Sequence, residues 1–410
     1  MKRPYIKNLI LIILMISLIM TTSCNKSENA SDPQISVIDI ENQQNGLDKT
    51  EEKLNLEEYS LDYVFKTDDQ PQTIYSTITE GEEGFYYFSC NYEDDSKSLI
   101  NRIMFFDKKN KKAVPLCNIA DCLHKDENCN ACFIDSEEIS YHLFRLKYND
   151  GFIYTNASNS KGDSLLIKIS EDGSIREQSN IMLKTDSNLE KEIDSILIPD
   201  FIIHRGYEYF LDGTPYSEEI FRCKVGSDKV DVVYENTGNG ANVYRLKGYG
   251  DYLFFQSMNF TNEDYTEYNA GLFAMNVNNG ELTLVKKDVV RNYCIQDNIL
   301  YYFYKDGICS YDLISGETRT VVKNFGDDGF DLFVEKDKIY AVDGSNERIC
   351  VFNLKGEQIE TYDLEVLDMD FVDKIVIIDG YCFIRCVDSS GEHFFYMISD
   401  DKESDWIEIS

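Results

Sequence analysis

One pattern recurs seven times between residue 72 and the C-terminus, and it restricts the fold more than any other feature of the chain. An acidic or glycine turn precedes a short aromatic-rich strand; after a variable gap, a second apolar strand runs into a polar turn. The first strand of the unit reads Phe85-Tyr86-Tyr87-Phe88, Phe152-Ile153-Tyr154, Tyr207-Glu208-Tyr209-Phe210, Tyr252-Leu253-Phe254-Phe255, Ile299-Leu300-Tyr301-Tyr302, Ile339-Tyr340-Ala341-Val342 and Tyr381-Cys382-Phe383-Ile384. Successive starts lie 67, 55, 45, 47, 40 and 42 residues apart, the room that four short strands and their turns require. The second strand is equally legible at 103–106, 165–169, 220–225, 272–277, 308–313, 349–354 and 394–398. Several copies end in turn residues, among them Glu171-Asp172-Gly173, Asn278-Asn279-Gly280 and Lys355-Gly356.

A four-stranded sheet of this composition carries apolar residues on both faces, and each face must be covered. Copies arranged radially cover one another, and closing the circle removes the two faces that would stay bare. The expected fold is therefore all-β, a β-propeller of seven four-stranded blades. Six or eight blades remain open if an end strand pairs across the two termini. No segment long enough for a crossover helix interrupts the repeats, which disfavours a parallel α/β sheet. A β-helix would show a shorter, more uniform coil, and two sandwiches would not share one register across seven copies.

Composition agrees with a folded, acidic protein. Hydrophobic residues make up 43% of the chain and aromatic ones 13%, enough apolar surface for a large core. The 40 basic residues face 74 acidic ones, a net charge of −34, and so acidic a chain lacks the basic face that nucleic acid requires. Only four histidines are present, which narrows metal-hydrolase and general-base chemistry.

The N-terminus supplies an address. Lys2, Arg3 and Lys7 precede an uncharged apolar stretch from Leu9 to Met20, 12 residues long and well short of a bilayer span, so residues 1–23 read as a secretion signal. Thr21-Thr22-Ser23-Cys24 follows, and this segment resembles the lipobox of bacterial lipoproteins, with Thr21 at the usual leucine position. The resemblance implies cleavage before Cys24, acylation of Cys24, and a lipid anchor holding the protein at the extracellular face of the cell membrane. Residues 24–58 then read as the lipidated cysteine and an acidic disordered tether, with nine acids against three bases from Asn25 to Glu58. An irregular arm packed on the next domain is the alternative. Residues 59–410 form the propeller domain. Loss of the leader's three cations takes the mature charge from −34 to −37.

Ile339-Tyr340-Ala341-Val342-Asp343, with Arg348-Ile349 and Asn353-Leu354-Lys355-Gly356, resembles one YWTD repeat of low-density-lipoprotein-receptor propellers, with Ala and Val where Trp and Thr would stand. Leader, tether and aromatic blades together resemble the propeller lipoproteins of Gram-positive anaerobes. Kelch glycine doublets and Trp-Asp blade ends are absent from the sequence.

One insertion breaks the pattern. Residues 115–132, placed between the first two blades, hold Cys117, Cys122, His124, Cys129 and Cys132 within 16 residues. Three thiolates and an imidazole from Cys117, Cys122, His124 and Cys129 would suit a structural zinc ion. Disulfides joining Cys117 or Cys122 to Cys129 or Cys132 are the alternative, natural outside the cell. The likeness to the anaerobe lipoproteins, where such insertions carry three Cys and a His, implies that Cys132 is the spare. Of the remaining cysteines, Cys309 and Cys350 each follow the opening Ile of a strand and Cys382 lies within another, positions that suit small buried hydrophobes.

No nucleophile elbow, zinc-protease helix motif, phosphate loop or dinucleotide fingerprint occurs. His142, His204 and His393 fall in or beside strands of separate units and read as blade-surface or interblade residues. The acidic gaps at Tyr92-Glu93-Asp94-Asp95 and Asn262-Glu263-Asp264 lack the ligand spacing of an EF-hand and read as solvated loops. No catalytic residue is assigned. The preferred function is a cell-surface binding or scaffold platform for a peptide, glycan or protein partner, with the gaps after Phe210 and Phe255, including Tyr265 and Tyr268, as the first places to look. An extracellular carbohydrate-active or lyase-type enzyme is the rival reading, and a structural subunit of an envelope complex is a third.

Overall fold

The computed structural model describes residues 50–52, 54 and 77–409, except 93–98, 135–138, 160–163, 182–200, 212–217, 228, 290, 306, 326–330, 344–347, 368–370, 388–392 and 400–406. The chain divides into two units, residues 1–39 and 40–410, and every described residue falls in the second. The leader, Cys24 and most of the tether therefore lie outside the described residues. No helix among the described residues is long and apolar enough to cross a membrane.

Seven antiparallel sheets follow one another along the chain, each with its four strands in sequence order. Blade one runs from Ile78–Glu80 to the short edge strand Lys112–Pro115, and blade seven from Phe371–Ile378 to Ile407–Glu408. Each blade is built from a contiguous stretch of chain, so the count is seven, and among the described residues no strand is exchanged between the first and last blades. The only helical element among the described residues is a 3-10 turn at Glu365–Leu367.

The aromatic and apolar strands marked in the sequence are the second and third strands of each blade. The first strands carry no shared aromatic signature and range from three residues at Ile78–Glu80 to eleven at Ile139–Asn149. Phe201–His204 is buried at all four positions, and Tyr293–Gln296 and Leu332–Glu335 at three of four. These first strands pack against the first strands of neighbouring blades, which places them innermost. Among the fourth strands, Gln358–Asp363 has no buried residue and reads as a polar edge, whereas Val230–Glu235 and Leu282–Lys287 bury three residues each.

Two-residue turns join first strands to second strands in blades two to seven, and residues 81–83 do so in blade one. In Asp297-Asn298 and Asp379-Gly380 both residues have positive φ (51° and 63°, 49° and 75°), the paired left-handed geometry that matches strand twist. Asp, Asn and Gly tolerate it with little strain, which explains the turn residues before each aromatic strand.

Apolar seams hold the blades together. Leu146, Ile153, Ile167 and Ile169 of blade two pack on Phe88, Ile100 and Ile103 of blade one. Phe254, Leu272 and Val285 of blade four meet Tyr293, Leu300 and Tyr302 of blade five. The ring closes where Ile78, Phe85 and Tyr87 of blade one meet Val376, Phe383, Met397 and Ile409 of blade seven. There the Phe85 and Phe383 rings lie edge to face with centroids 4.8 Å apart, and the Tyr87 hydroxyl donates to the Ile409 carbonyl. At the rim of the same seam Lys108 pairs with Asp379 at 2.6 Å.

Residues 50–54, assigned to the tether in the sequence, are described in part and lie along the outer strand of blade four. The Glu52 amide donates to the Leu284 carbonyl at 2.9 Å, Glu51 pairs with Lys286 at 2.8 Å, and Leu54 is buried in the seam between blades four and five. This short piece extends the blade's edge much as a fifth strand would, and covers backbone groups that an edge leaves bare.

Glu208 is the conspicuous exception to the apolar seams. It pairs across the sheet with Ile203 and Cys223, both in the seam between blades two and three, and it is only 1% exposed. Its Oε1 finds no donor among the described residues, and burial pushes the carboxyl up to about 8. The folded chain thus holds a proton that the unfolded chain releases near 4.5. Stability falls as pH rises between these two values and this contribution is level outside them, a difference of about 3 kcal/mol by pH 7. Glu208→Gln is expected to be more stable than the parent by a margin that widens between pH 5 and pH 8. Urea denaturation at four pH values measures that margin, and a pH-independent one refutes the assignment.

Candidate functional site

The cysteine-rich insertion is not a connection between blades, as the sequence spacing suggested. It interrupts the fourth strand of blade one. Lys112–Pro115 pairs with Met104–Asp107 of the third strand, and Cys132–Ile134 pairs with Ile100–Arg102 of that same strand. Ile103 lies between the two stretches: its carbonyl accepts from the Leu116 amide at 2.9 Å and its amide donates to the Ala131 carbonyl at 3.0 Å. Residues 117–130 therefore leave and rejoin the sheet edge opposite a single residue. Spacing along the chain reveals extra length but not the edge from which it emerges.

Both ends of this excursion are anchored on blade two. Asn130 Nδ2 donates to the Gly173 carbonyl at 2.8 Å, and Arg176 donates to the Cys132 carbonyl at 2.7 Å while lying over the Phe133 ring. Cys129, Ala131, Cys132 and Phe133 are buried in the seam between blades one and two. Gly173, at φ 70°, lies so close that a β-carbon would sit 2.6 Å from the Leu116 carbonyl oxygen and 2.7 Å from the Cys117 nitrogen. Further out, Arg102 Nε donates to the His124 carbonyl at 2.9 Å.

Within the excursion, the ligand atoms of Cys117, Cys122, His124 and Cys129 all lie within 4.8 Å of one another. His124 Nδ1 is 3.3 Å from Cys129 Sγ. His124 and Asp121 have φ of 54° and 57°, left-handed values that turn the chain back on itself inside the loop. Burial would raise the Cys117 thiol, yet the Ile119 amide, the Cys129 and Cys122 side chains and the Asn130 amide together hold it below its ordinary value. Burial pushes the Cys129 thiol far up, against a hydrogen bond from the Ala131 amide. Cys132, the fifth member of the motif, is outside the four and sits in the strand, with Arg102 at its side. The ten cysteines whose side chains are described are free thiols; of those in the blades, Cys223, Cys294, Cys309, Cys382 and Cys386 are buried, and Cys350, expected to be buried, is half-buried.

The other sequence candidates are dispersed. The side chains of His142 and His393 and the acidic residues 93–95 lie outside the described residues. His204 is fully buried in the innermost strand of blade three, against Gly248 of blade four, an interblade position. Asn262 caps its own loop: its Oδ1 accepts from the amides of Thr266 and Glu267 at 3.0 and 3.2 Å. Tyr265 and Tyr268 are 57% and 50% exposed at the tip of the long hairpin of blade four, where Tyr265 stacks edge to face on Phe260.

A duplicated motif escaped the sequence reading. Phe144-Arg145-Leu146-Lys147 and Tyr244-Arg245-Leu246-Lys247 each fall at a bulge in an innermost strand and bury a lysine, Lys147 at 1% and Lys247 at 5% exposure. Lys247 donates to the Tyr293 carbonyl and lies over the Tyr293 ring, while the Tyr293 hydroxyl donates to the Arg245 carbonyl at 2.7 Å. The second copy is thus a polar rivet across the seam between blades four and five. Self-comparison of the sequence at a separation of 100 residues would have found the pair.

No family model and no curated protein matches the chain. Solved structures do. A chain from a structural and mechanistic study of two prolyl endopeptidases aligns with 83% of this protein at 12% identity and a TM-score of 0.52. This protein spans half the length of that chain, and the likeness shows a shared fold alone. BamB from Moraxella catarrhalis aligns with 83% of this protein over 84% of its own length, at 13% identity and a TM-score of 0.40, and the designed protein Ika8 with 78% at 11% and 0.41.

The contact at Gly173 yields a test. Both atoms met by an added β-carbon are backbone, which cannot rotate away, and φ of 70° adds strain. Gly173→Ala is expected to cost about 1–3 kcal/mol and to loosen residues 117–130 selectively. Hydrogen exchange should show faster exchange there than in blades four to six; uniform protection would refute the anchoring role.

Proposed function

We propose that this chain is a lipid-anchored lipoprotein of the extracellular membrane face whose propeller serves as a binding or scaffold platform for a peptide, glycan or protein partner. The observation that carries the reading is an asymmetry between the two ends of the ring. Antiparallel strands in sequence order put the connections from first to second and from third to fourth strands at one end, and the rest at the other. At the first end the connections are two to five residues long, apart from the seven residues 400–406 before Ile407–Glu408. At the second end they reach seven residues before Tyr268–Asn276 and nine before Leu332–Glu335, and nineteen separate Arg176–Ile181 from Phe201–His204.

A rigid ring that carries longer connections on one end suits recognition, since the scaffold spares the loops the ordering penalty of binding. Tyr265 and Tyr268 supply exposed aromatic surface on that end, held by the capped turn at Asn262. The anchor rests on the leader and Cys24, and the acidic tether would keep so negative a domain clear of an anionic membrane.

Two measurements test this reading. In a bacterial host with a lipoprotein pathway, the parent chain should incorporate labelled palmitate and be shaved from intact cells by protease, whereas Cys24→Ala should lose the label. A cytosolic, unlabelled parent refutes the anchor. On peptide and glycan arrays the purified chain should retain specific features that Tyr265→Ala with Tyr268→Ala weakens at least tenfold; an array blank for the parent refutes those ligand classes.

A further inference from the structure

We infer that Cys117, Cys122, His124 and Cys129 form a structural zinc site that closes the excursion from the edge of blade one. This inference is independent of the platform reading. It starts from a problem of local stability. Residues 117–130 make a loop whose ends meet at Ile103, and its own apolar side chains do not hold it: Ile119 is 43% exposed and Leu123 79%. A segment of this size without a core needs a cross-link to stay folded.

The four side chains are the cross-link. Zinc binds thiolates at about 2.3 Å and imidazole at about 2.0 Å, so a tetrahedral set has ligand atoms about 3.5–3.8 Å apart. Here all four ligand atoms lie within 4.8 Å of one another, and His124 Nδ1 and Cys129 Sγ are already 3.3 Å apart. Modest contraction around an ion completes the site. The set is closed: three sulfurs and one nitrogen leave no open position for substrate, which marks the role as structural. Binding replaces three thiol protons with one ion and releases them to solvent, leaving a net charge of −1 on the centre.

The surroundings suit that charge. The Arg102 guanidinium, bonded to the His124 carbonyl, stands beside the loop as a counter-charge. A disulfide would use only two of the three sulfurs and give the inward-turned His124 no partner role. Cys132 is the internal control, since it is as buried as Cys129 but belongs to the sheet edge and not to the four.

The full chain, purified without oxidant and with no metal added, is expected to carry one zinc per molecule by mass spectrometry of the metal. X-ray absorption should fit three sulfurs and one nitrogen. Cys122→Ser and His124→Ala should each lower the zinc content at least fivefold while far-UV circular dichroism of the blades persists, and Cys132→Ser should retain it in full. Stripping zinc from the unaltered chain with a strong chelator should make residues 117–130 the first site of proteolysis, a readout that needs no variant to fold. A metal-free chain with a mapped disulfide among these cysteines overturns the inference, as does Cys132→Ser losing as much zinc as Cys122→Ser.

Discussion

Each blade has two apolar faces, and only another blade can cover them. That demand for mutual coverage organises the molecule: seven sheets in a ring present no bare face, and the closing contact is made by side chains with no exchanged strand. Phe85 and Tyr87 against Val376, Phe383 and Met397 bring residues about 300 positions apart into one cluster. Full burial of each such side chain contributes about 1.5–3 kcal/mol, so the seam is strong enough to hold without backbone pairing across it.

Several polar groups in these seams find partners across the blade boundary. The Tyr87 hydroxyl reaches Ile409 and the Tyr293 hydroxyl reaches Arg245. Gln256 donates to the carbonyls of Val289 and Arg291, and Asn236 donates to Ser257 and Met258. Such bonds add little net stability but penalise any other register of one blade on the next, because a shifted blade would strand a buried donor. Glu208 Oε1 has no such partner, and the side chain remains buried because protonation removes its charge.

The rigid ring also explains how the excursion at blade one is tolerated. The third strand keeps its partner on either side of Ile103, so the sheet edge is complete while 14 residues bulge from it. An outermost strand can take inserted chain without disturbing a seam between innermost strands. The cost is a loop with exposed Ile119 and Leu123, and the convergence of three thiols and an imidazole is what distinguishes it from a disordered insertion.

Much of this was legible before any coordinates. The second and third strands carry the densest aromatic and β-branched runs, so their recurrence alone announced repeated blades, and four ligand-type residues within 13 positions announced a possible metal centre. The short innermost strands, such as Phe201–His204, and the polar outer strands, such as Gln358–Asp363, carry no period of their own; pairing defines them. The sequence by itself determined the fold class, the recurrence of seven units and the composition of the cysteine cluster, because these follow from local apolar pattern and residue type. Only the tertiary structure decided where the excursion leaves the sheet, that Cys132 belongs to the strand that rejoins it, and that Glu208 and Lys247 are interior. Those facts depend on which faces meet across a seam, and contacts between residues distant along the chain leave no local mark in it.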